Sequence, residues 1–314
     1  MSIATVFEIV LAAVVLGLAI WTITVPETYS ATVGFVAYGL LVALIWVRLD
    51  AVDVALTEAA IGGGLGGVVL LGAAARLRDA EAMVAERSSR ITRLSAAILS
   101  ASIAAALALA ILILPDHAPT LAPAVIANAG ATGMANPVTN VLMAFRGMDT
   151  MLEKVVLLLA IVGVWSLASD RAWGGRPGPR HEADPNGVLA FLARLLPPAG
   201  IVVGIYMLWT GADHPGGAFQ GGAVLASMWL LVIMAGLADT PPVSSRWLRL
   251  ILVAGPGLFL VVGLGGLCFG TAFLAYPAAF AKPLILGIEV AMTLTIAVTL
   301  ALLLAGAPER NAER

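Results

Sequence analysis

Two carboxylates lie inside an apolar run that is long enough to cross a lipid bilayer. Asp53 and Glu58 stand in this run, Thr57 adds a hydroxyl beside Glu58, and five glycines follow between positions 62 and 67. A charged side chain at the centre of a bilayer costs roughly 2.5–3.5 kcal/mol even on the lenient insertion scale. Such a carboxylate must hold a proton, a cation or a partner charge, and Glu58 is therefore predicted to be a station for ions.

Asp53 has a plainer alternative explanation. Acidic residues in the first turn of a helix are stabilised by its dipole, and Asp50 precedes Asp53 by three residues on the same helix face. Glu58 lies about 12 Å deeper than Asp50 at the 1.5 Å rise of a helix, too deep for this explanation. Asp53 stays open between a helix start and a step on an ion path.

The last apolar run contains a second deep carboxylate, Glu289, seven residues after Lys282 on nearly the same helix face. Lys282 either extends to the membrane surface as an anchor or takes part in ion movement. Glu289 lies deeper and is predicted to be a station for ions. We expect Glu58 and Glu289 to line one polar route or one polar interface with a partner protein.

Two further segments carry polar groups. Thr150 and Glu153 match a capping box, which predicts a helix start at Thr150. Glu153 is either the partner of this cap or, with Arg146, Asp149 and Lys154, part of a polar gate.

A glycine-rich loop at positions 211–222 is either a tight turn or an amide-rich segment at membrane depth, which is tolerated only against protein or water. Its candidate residues are His214, Gly216, Gly217, Gln220 and Gly221, of which the histidine is predicted to lie at the surface.

Composition places these groups in a membrane protein. Of 314 residues, 61% are hydrophobic and 11% charged, against about 25% charged in soluble domains. The sequence lacks a nucleotide-binding motif, and its single cysteine excludes a thiolate-held cluster within the chain. The chain is therefore predicted to have no cofactor, no stable metal, no nucleic-acid partner and no enzyme activity of its own. The N-terminal run is predicted to be a retained first span.

The apolar pattern predicts an all-α integral membrane protein with about nine transmembrane helices. The interval 118–150 is too polar for a plain span and is predicted to be interfacial or re-entrant, with Asn136 and Pro137 as N-cap and first residue of a helix. The predicted spans are 3–24, 31–48, 52–75, 94–114, 152–169, 188–209, 217–237, 247–268 and 283–305. With nine alternating spans, 13 of the 17 Lys and Arg residues fall on one side, so the C-terminus is predicted to be cytoplasmic and the N-terminus external.

Three motifs resemble a known family, the Mrp-type multisubunit Na⁺/H⁺ antiporters. Positions 53–62 are similar to the MbhD-like module, and positions 136–153 to the MbhE-like module, at the C-terminal end of the large A-type protein of these complexes. Positions 214–222 and 286–290 resemble their B-type protein. These antiporters are related to the membrane arms of membrane-bound hydrogenase and complex I.

The resemblance implies three fused modules and a place in a larger complex. An MbhD-like three-helix module spans 1–80, an MbhE-like two-helix module 81–172, a linker 173–187, and a B-type four-helix module 188–314. The implied function is a membrane subunit of a monovalent cation (Na⁺)/proton antiporter in the prokaryotic cell (inner) membrane. The alternative is a bracing subunit of a redox-driven, hydrogenase-like or complex I-like ion pump.

The family's acidic positions correspond to Glu58, Glu153 and Glu289, with Asp149 beside them. Transient Na⁺ is implied at Glu58 and Glu289, and the implied partners are the A-like, C, D, E, F and G proteins of the antiporter. The chain departs from the family pattern at Leu152, which replaces a usual glycine before Glu153, and at position 218 of the glycine-rich loop, where alanine stands.

Overall fold

Helices make up nearly all of the fold in the computed structural model, which describes residues 2–83, 89–115, 119–270 and 272–309. Parts of three predicted features lie outside these residues: positions 84–88 of the basic segment after the third span, positions 116–118 after the fourth, and the tail beyond 309. The helices are α1 Ile3–Thr24, α2 Thr28–Arg48, α3 Val52–Thr57, α4 Gly66–Met83, α5 Arg90–Ile113, α6 Ala122–Asn128, α7 Pro137–Asn140, α8 Gly147–Trp165, α9 Val188–Thr210, α10 Ala218–Met234, α11 Arg246–Phe269 and α12 Ala281–Ala305.

Two wider turns and one tighter turn interrupt this order. A π-helical segment, Glu58–Leu65, joins α3 to α4, and a second, Val141–Phe145, follows α7. A 3₁₀ turn, Ala129–Ala131, follows α6. Local π-helical turns often mark functional sites, because they re-aim the side chains around them.

Seven helices in the described part of the chain are long and apolar enough to cross a membrane. They are Ile3–Thr24, Thr28–Arg48, Val52–Leu77, Arg90–Ile113, Val188–Thr210, Arg246–Cys268 and Ala281–Ala305. The other two predicted spans also coincide with helices, but α10 has 17 residues and α8 carries three charged side chains among its 19. The prediction of a multi-pass, all-α membrane protein is confirmed, while the count of nine spans stays a prediction.

The core surrounds α12, which packs against α8, α10 and α11. Its buried centre consists of Met134, Met143, Ala212, Ala218, Phe259, Ile285, Ile288, Met292 and Ile296. Lipid tails are as apolar as leucine, so helices in a bilayer associate through close packing and through small residues. Gly222 provides such a contact, because a Cβ there would lie 2.7 Å from Cγ2 of Ile296.

The N-terminal helices are packed more loosely. Arg48 of α2 forms an ion pair with Glu8 of α1 at 2.7 Å, but both side chains are about half exposed. Helix α5 has no buried residue along its 24 residues. Its apolar surface therefore faces lipid or another protein along the whole helix.

The predicted linker 173–187 is tied to the C-terminal end of the described chain. Strand β1, Arg176–Pro177, pairs antiparallel with β2, Pro308–Glu309. The Pro177 carbonyl also accepts a hydrogen bond of 2.7 Å from the Thr240 hydroxyl, and Arg176 pairs with Asp239 at 2.6 Å. These contacts hold the linker against the turn that joins α10 and α11.

Local signals in the segment before α8 were partly correct. Asn136 is the N-cap of α7, with Pro137 as first residue, and its side chain accepts from the Val138 amide at 2.8 Å, as predicted. The capping-box prediction was wrong: α8 begins at Gly147, so Thr150 lies inside the helix. Its hydroxyl donates instead to the Leu142 carbonyl at 2.6 Å, which closes the π-helical turn against α8.

Candidate functional site

A cavity of about 300 Å³ lies between α3, the α7–α8 segment, the start of α10 and α12. Its wall is mostly apolar, yet it receives polar side chains from all three predicted modules. These are Asp53, Thr57, Thr139, Thr150, Glu153, Lys154, Gln220 and Glu289. Four of the predicted ion-site residues, Asp53, Thr57, Glu153 and Glu289, are thus brought together at one place.

Glu289 is the most deeply buried carboxylate of the cavity, with 3% of its surface exposed. The Ala218 amide at the start of α10 lies close to it. The N-terminus of a helix favours a negative charge, so this contact suits the ionised form. Oε2 of Glu289 is fully buried and has no hydrogen-bond partner in the described part of the chain. A buried carboxylate oxygen with no partner has an open position for a proton or a cation.

Gln220 places a second oxygen beside Glu289. Its Nε2 donates to the Thr57 hydroxyl at 3.2 Å and to the Asp53 carbonyl at 3.4 Å, so the amide is oriented by α3. Because Gly217 has no side chain, the space beside the Gln220 amide oxygen stays open. A Cβ on that glycine would have Oε1 of Gln220 and Oε1 of Glu289 each at 3.5 Å. Two oxygens, of the kind that hard cations prefer as ligands, therefore lie near the open space at Gly217, and the Glu289 oxygen among them is Oε1 rather than the partnerless Oε2.

Asp53 does more than begin a helix, because it is buried and connects all three predicted modules. Oδ1 accepts from the Gly216 amide at 2.8 Å, and Oδ2 accepts from the Asn136 side chain at 3.5 Å. Gly216 adopts φ 147°, and a Cβ there would lie 2.5 Å from the Met207 carbonyl oxygen. Glycine is therefore required at the position that presents its amide to Asp53.

Buried hydrogen bonds from the side chains of Asn136 and Thr139 hold the glycine-rich loop in place. The Asn136 side chain donates to the Gly211 carbonyl at 3.1 Å and to the His214 carbonyl at 2.9 Å. The Thr139 hydroxyl donates to the same Gly211 carbonyl at 2.6 Å. Sequence reasoning identified Asn136 only as a helix cap and missed Thr139. An Asn-Pro pair marks a helix start, but it does not reveal which distant carbonyls the side chain reaches.

The rim of the loop is held by an exposed ion pair. Lys282 at the start of α12 donates to both carboxylate oxygens of Asp213, at 2.8 and 2.9 Å, and the Ala135 amide donates to Asp213 at 3.2 Å. The Lys282 hydrogen bond, reinforced by that of Ala135, lowers the pKa of the Asp213 carboxyl. Lys282 thus holds the glycine-rich loop, while its two predicted roles, an anchor at the membrane surface and a part in ion movement, stay predictions. His214 is exposed, as predicted, and its backbone carbonyl rather than its ring takes part in the network.

Lys154 was named in the sequence only as part of the alternative polar gate around Glu153, yet only 4% of its side chain is exposed. Its ammonium pairs with Glu153 at 2.7 Å and lies 5.1 Å from the centre of the Phe219 ring. Glu153 itself is 56% exposed, so the pair extends from the surface into the cavity. The sequence shows two opposite charges, Glu153 and Lys154, directly after the apolar Leu152. This pattern does not reveal that the side chain of Lys154 is buried.

Besides Lys282, His214 and Gly221, two predicted residues, Glu58 and Asp149, lie outside the lining of this cavity. Glu58, half-buried, folds back over Gly62 in the π-helical segment and approaches Gly39 of α2, where a Cβ would lie 3.4 Å from Oε1 of Glu58. Asp149 is exposed and pairs with Arg146. The structure thus groups Glu289 with Asp53 and Thr57 rather than with Glu58.

Comparison with known families covers most of the chain. Residues 188–307 match a domain related to the MnhB subunit of a Na⁺/H⁺ antiporter. Residues 13–79 match the MbhD subunit of MBH, and residues 88–177 match its MbhE subunit. The resemblance drawn from the three sequence motifs is therefore confirmed.

Individual relatives agree with these matches. The B-type subunit of the Na⁺/H⁺ antiporter of Bacillus subtilis is 34% identical over 99 residues, which are 31% of this chain and 68% of that protein. An uncharacterised protein of Methanocaldococcus jannaschii is 25% identical over 154 residues, 44% of this chain and 59% of that one.

Two solved structures share the fold. A chain of the Mrp complex from Dietzia sp. DQ12-45-1b matches with TM-score 0.75 and 25% identity, over 97% of this chain and 35% of its own length. A chain of an archaeal membrane-bound sulfane sulfur reductase matches with TM-score 0.52 and 24% identity, over 68% of this chain and 98% of its own. The chain thus spans about a third of the Mrp-complex chain.

Proposed function

This chain belongs to the family of B-type Na⁺/H⁺ antiporter subunits, and we propose that it contributes a carboxylate station for Na⁺ or H⁺ to a multisubunit Na⁺/H⁺ antiporter. The observation that carries the proposal is the open, fully buried Oε2 of Glu289, a residue that lines a cavity into which polar side chains of all three modules project. An ion leaving water needs compensating oxygen ligands, and a proton needs a basic oxygen. Glu289 meets both needs, and the Gln220 amide oxygen, which also lies near Gly217, gives a cation a second ligand.

In the proposed site, Glu289 is the ion-binding group, and Gln220 and Thr57 provide neutral oxygen ligands. Asp53 positions the loop, because both of its carboxylate oxygens already accept hydrogen bonds. Glu58 is a second candidate station outside the cavity. Transport across the whole bilayer then depends on partner proteins that continue the path on both sides of this cavity.

The finer architecture is part of the same proposal. Nine spans would require α8 and α10 to cross the membrane in contact with protein, which suits their buried or charged faces. The three modules at 1–80, 81–172 and 188–314 would meet at the cavity, and the basic loops would place the C-terminus in the cytoplasm. Partners would be the A-like, C, D, E, F and G proteins of the antiporter, and the exposed helix α5 supports a contact with one of them.

Neutralising Glu289 tests the proposal. In everted membrane vesicles that contain the assembled antiporter, Glu289→Gln should reduce Na⁺-dependent dissipation of a pH gradient at least about tenfold, since an amide can neither take up a proton nor carry charge. Two matched carboxylate-to-amide controls define the scale. Glu8→Gln, at the exposed ion pair with Arg48, should leave transport unchanged, and Glu58→Gln should lower it by no more than about threefold.

Assembly of the complex must be measured in the same vesicles, by recovery of the partner proteins with this chain. Full transport by assembled Glu289→Gln would refute the ion-station proposal. It would leave the alternative, a subunit that braces neighbouring membrane proteins in an antiporter or a redox-driven pump.

A further inference from the structure

Lys154 is the one charged side chain of the cavity lining that carries a positive charge among the described residues. Burying an ammonium costs several kcal/mol unless it is paired. Here it pairs through Oε1 of Glu153, at 2.7 Å, and faces the Phe219 ring. A group kept inside at this cost, in the lining of the same cavity as Glu289 with its partnerless Oε2, calls for an explanation beyond packing.

The other charged groups around the cavity leave Lys154 two possible acceptors. The three carboxylates of the lining are Asp53 from α3, Glu153 from α8 and Glu289 from α12. Helix α7 and the start of α10 contribute only uncharged residues to it. Asp53 is occupied by Gly216 and Asn136. Glu153 holds the ammonium in the described state, and Oε2 of Glu289 is open.

We propose that Lys154 is a tethered internal cation that exchanges between Glu153 and Glu289 and so competes with the transported ion for Glu289. The inference rests on the proposed function of Glu289. Lysine suits this role because its charge sits at the end of a flexible four-carbon chain with three rotatable donors. Phe219 lies next to Ala218, whose amide contacts Glu289, and its ring can hold the ammonium between the two carboxylates through a cation–π contact.

The exchange has a simple consequence for transport. When an ion binds Glu289, the ammonium rests on Glu153 at the cavity's exposed side. When the ion leaves, the ammonium moves to Glu289 and compensates the charge of the buried carboxylate. Lys154 is therefore a positioning and specificity-determining residue, not an ion ligand.

Two substitutions with opposite expected effects test this role in the assembled antiporter. Lys154→Met removes the competitor, so the Na⁺ concentration for half-maximal antiport should fall about tenfold, as expected when a competing charge is lost. Glu153→Gln removes the resting partner and drives the ammonium to Glu289, so the same concentration should rise about tenfold. The double variant should behave like Lys154→Met. Arg171→Met, which deletes an exposed positive charge after α8, is the matched control and should cause no shift.

A merely structural ion pair predicts a different pattern: both single variants would lower the maximal rate alike without opposite shifts in Na⁺ dependence. That result would overturn the inference. Loss of transport in Glu289→Gln together with unshifted Na⁺ dependence in Lys154→Met would refute the inference alone. Full transport by Glu289→Gln would refute the proposed function itself.

A second measurement needs no variant and so does not depend on their folding. A membrane-permeant carbodiimide joins a carboxyl to a neighbouring lysine amine as an amide, with release of the corresponding urea. In the wild-type complex, mass spectrometry should detect a Lys154–Glu289 link that decreases as Na⁺ is added. Detection of the Lys154–Glu153 link alone, at every Na⁺ concentration, would mean that the ammonium does not move and would overturn the inference.

Discussion

Glu289 and Glu58 are both carboxylates in apolar helices that carry glycine, yet the fold treats them differently. Glu289 is aimed at the start of α10, lies close to the Ala218 amide and keeps one open oxygen inside a cavity formed by four elements. Glu58 folds over Gly62 in its own π-helical segment and approaches α2 at Gly39. The depth of a carboxylate in an apolar run therefore does not identify an ion station by itself. The proposed role of Glu289 rests instead on its neighbours, which contact one side of the carboxylate and leave Oε2 open.

The N-terminal region contributes to the site mainly through Asp53, and its removal should have the largest effect on stability. Asp53→Ala leaves the Gly216 amide without its buried acceptor and removes the longest of the three hydrogen bonds that the Asn136 side chain donates, which should cost about 2 kcal/mol. Thermal unfolding of the purified complex measures the change. Glu58→Ala is the comparison and should cost less than about 1 kcal/mol, since Glu58 is only half-buried and lies outside the cavity. Equal losses for the two variants would contradict the distinction between the two regions.

Glycine substitutions should separate the tight C-terminal packing from the loose N-terminal packing. A Cβ on Gly221 of α10 would lie 2.6 Å from the Gly204 carbonyl of α9, whereas a Cβ on Gly72 of α4 would meet no described heavy atom within 4 Å. Gly221→Ala should therefore destabilise the protein by about 1–2 kcal/mol through overpacking. Gly72→Ala should leave the Tm unchanged or raise it slightly, because alanine is the better helix former.

Outcomes that contradict these two predictions would each have a structural explanation. A loss of stability in Gly72→Ala, measured on the complex, would show that a partner protein packs closely against α4. No loss in Gly221→Ala would show that α9 and α10 separate more easily than their contact indicates.

The sequence predicted the helices well because the apolar runs are long and their ends carry turn residues. All nine predicted runs coincide with helices, and the Asn136 cap was identified from two residues. The capping box at Thr150 was wrong because its hydroxyl bonds the preceding π-helical turn, a competitor that lies outside the motif. The π-helical segment after Thr57 was not predicted either, since the apolar pattern does not distinguish a wider turn from an ordinary one.

The sequence identified several residues of the site, but it did not show which of them lie close together. Glu289 and Gln220 were named from separate motifs, and only tertiary packing shows that their oxygens both lie near Gly217. The burial of Lys154 was not predicted, because a charge at the end of a polar segment is normally solvated. Contacts between modules depend on backbone carbonyls, such as those that Asn136 reaches, and carbonyl positions leave no trace in residue types.

The exposed rim of the glycine-rich loop gives the smallest expected effect and a test by pH. Lys282 lowers the pKa of the Asp213 carboxyl below its ordinary value of 3.8, so the pair stabilises the fold above that value. The stability is lost as the pH falls through the lowered pKa and the carboxylate becomes protonated. Asp213→Asn should therefore cost about 0.5 kcal/mol between pH 5 and 7, a size typical of exposed pairs, and the difference from wild type should shrink below about pH 3.8.

Comparison of Asp213→Asn with the Asp213→Asn/Lys282→Gln double variant separates the ion pair from other effects. If the pair is the source of stability, adding Lys282→Gln to Asp213→Asn should cost almost nothing, whereas Lys282→Gln alone should cost as much as Asp213→Asn. A stability difference that grows on acidification would mean that the protonated Asp213 is the favoured form, contrary to its contacts. Since this rim pair is exposed and the Asp53 contacts are buried, the two effects together measure how strongly burial, rather than charge alone, fixes the loop beside Glu289.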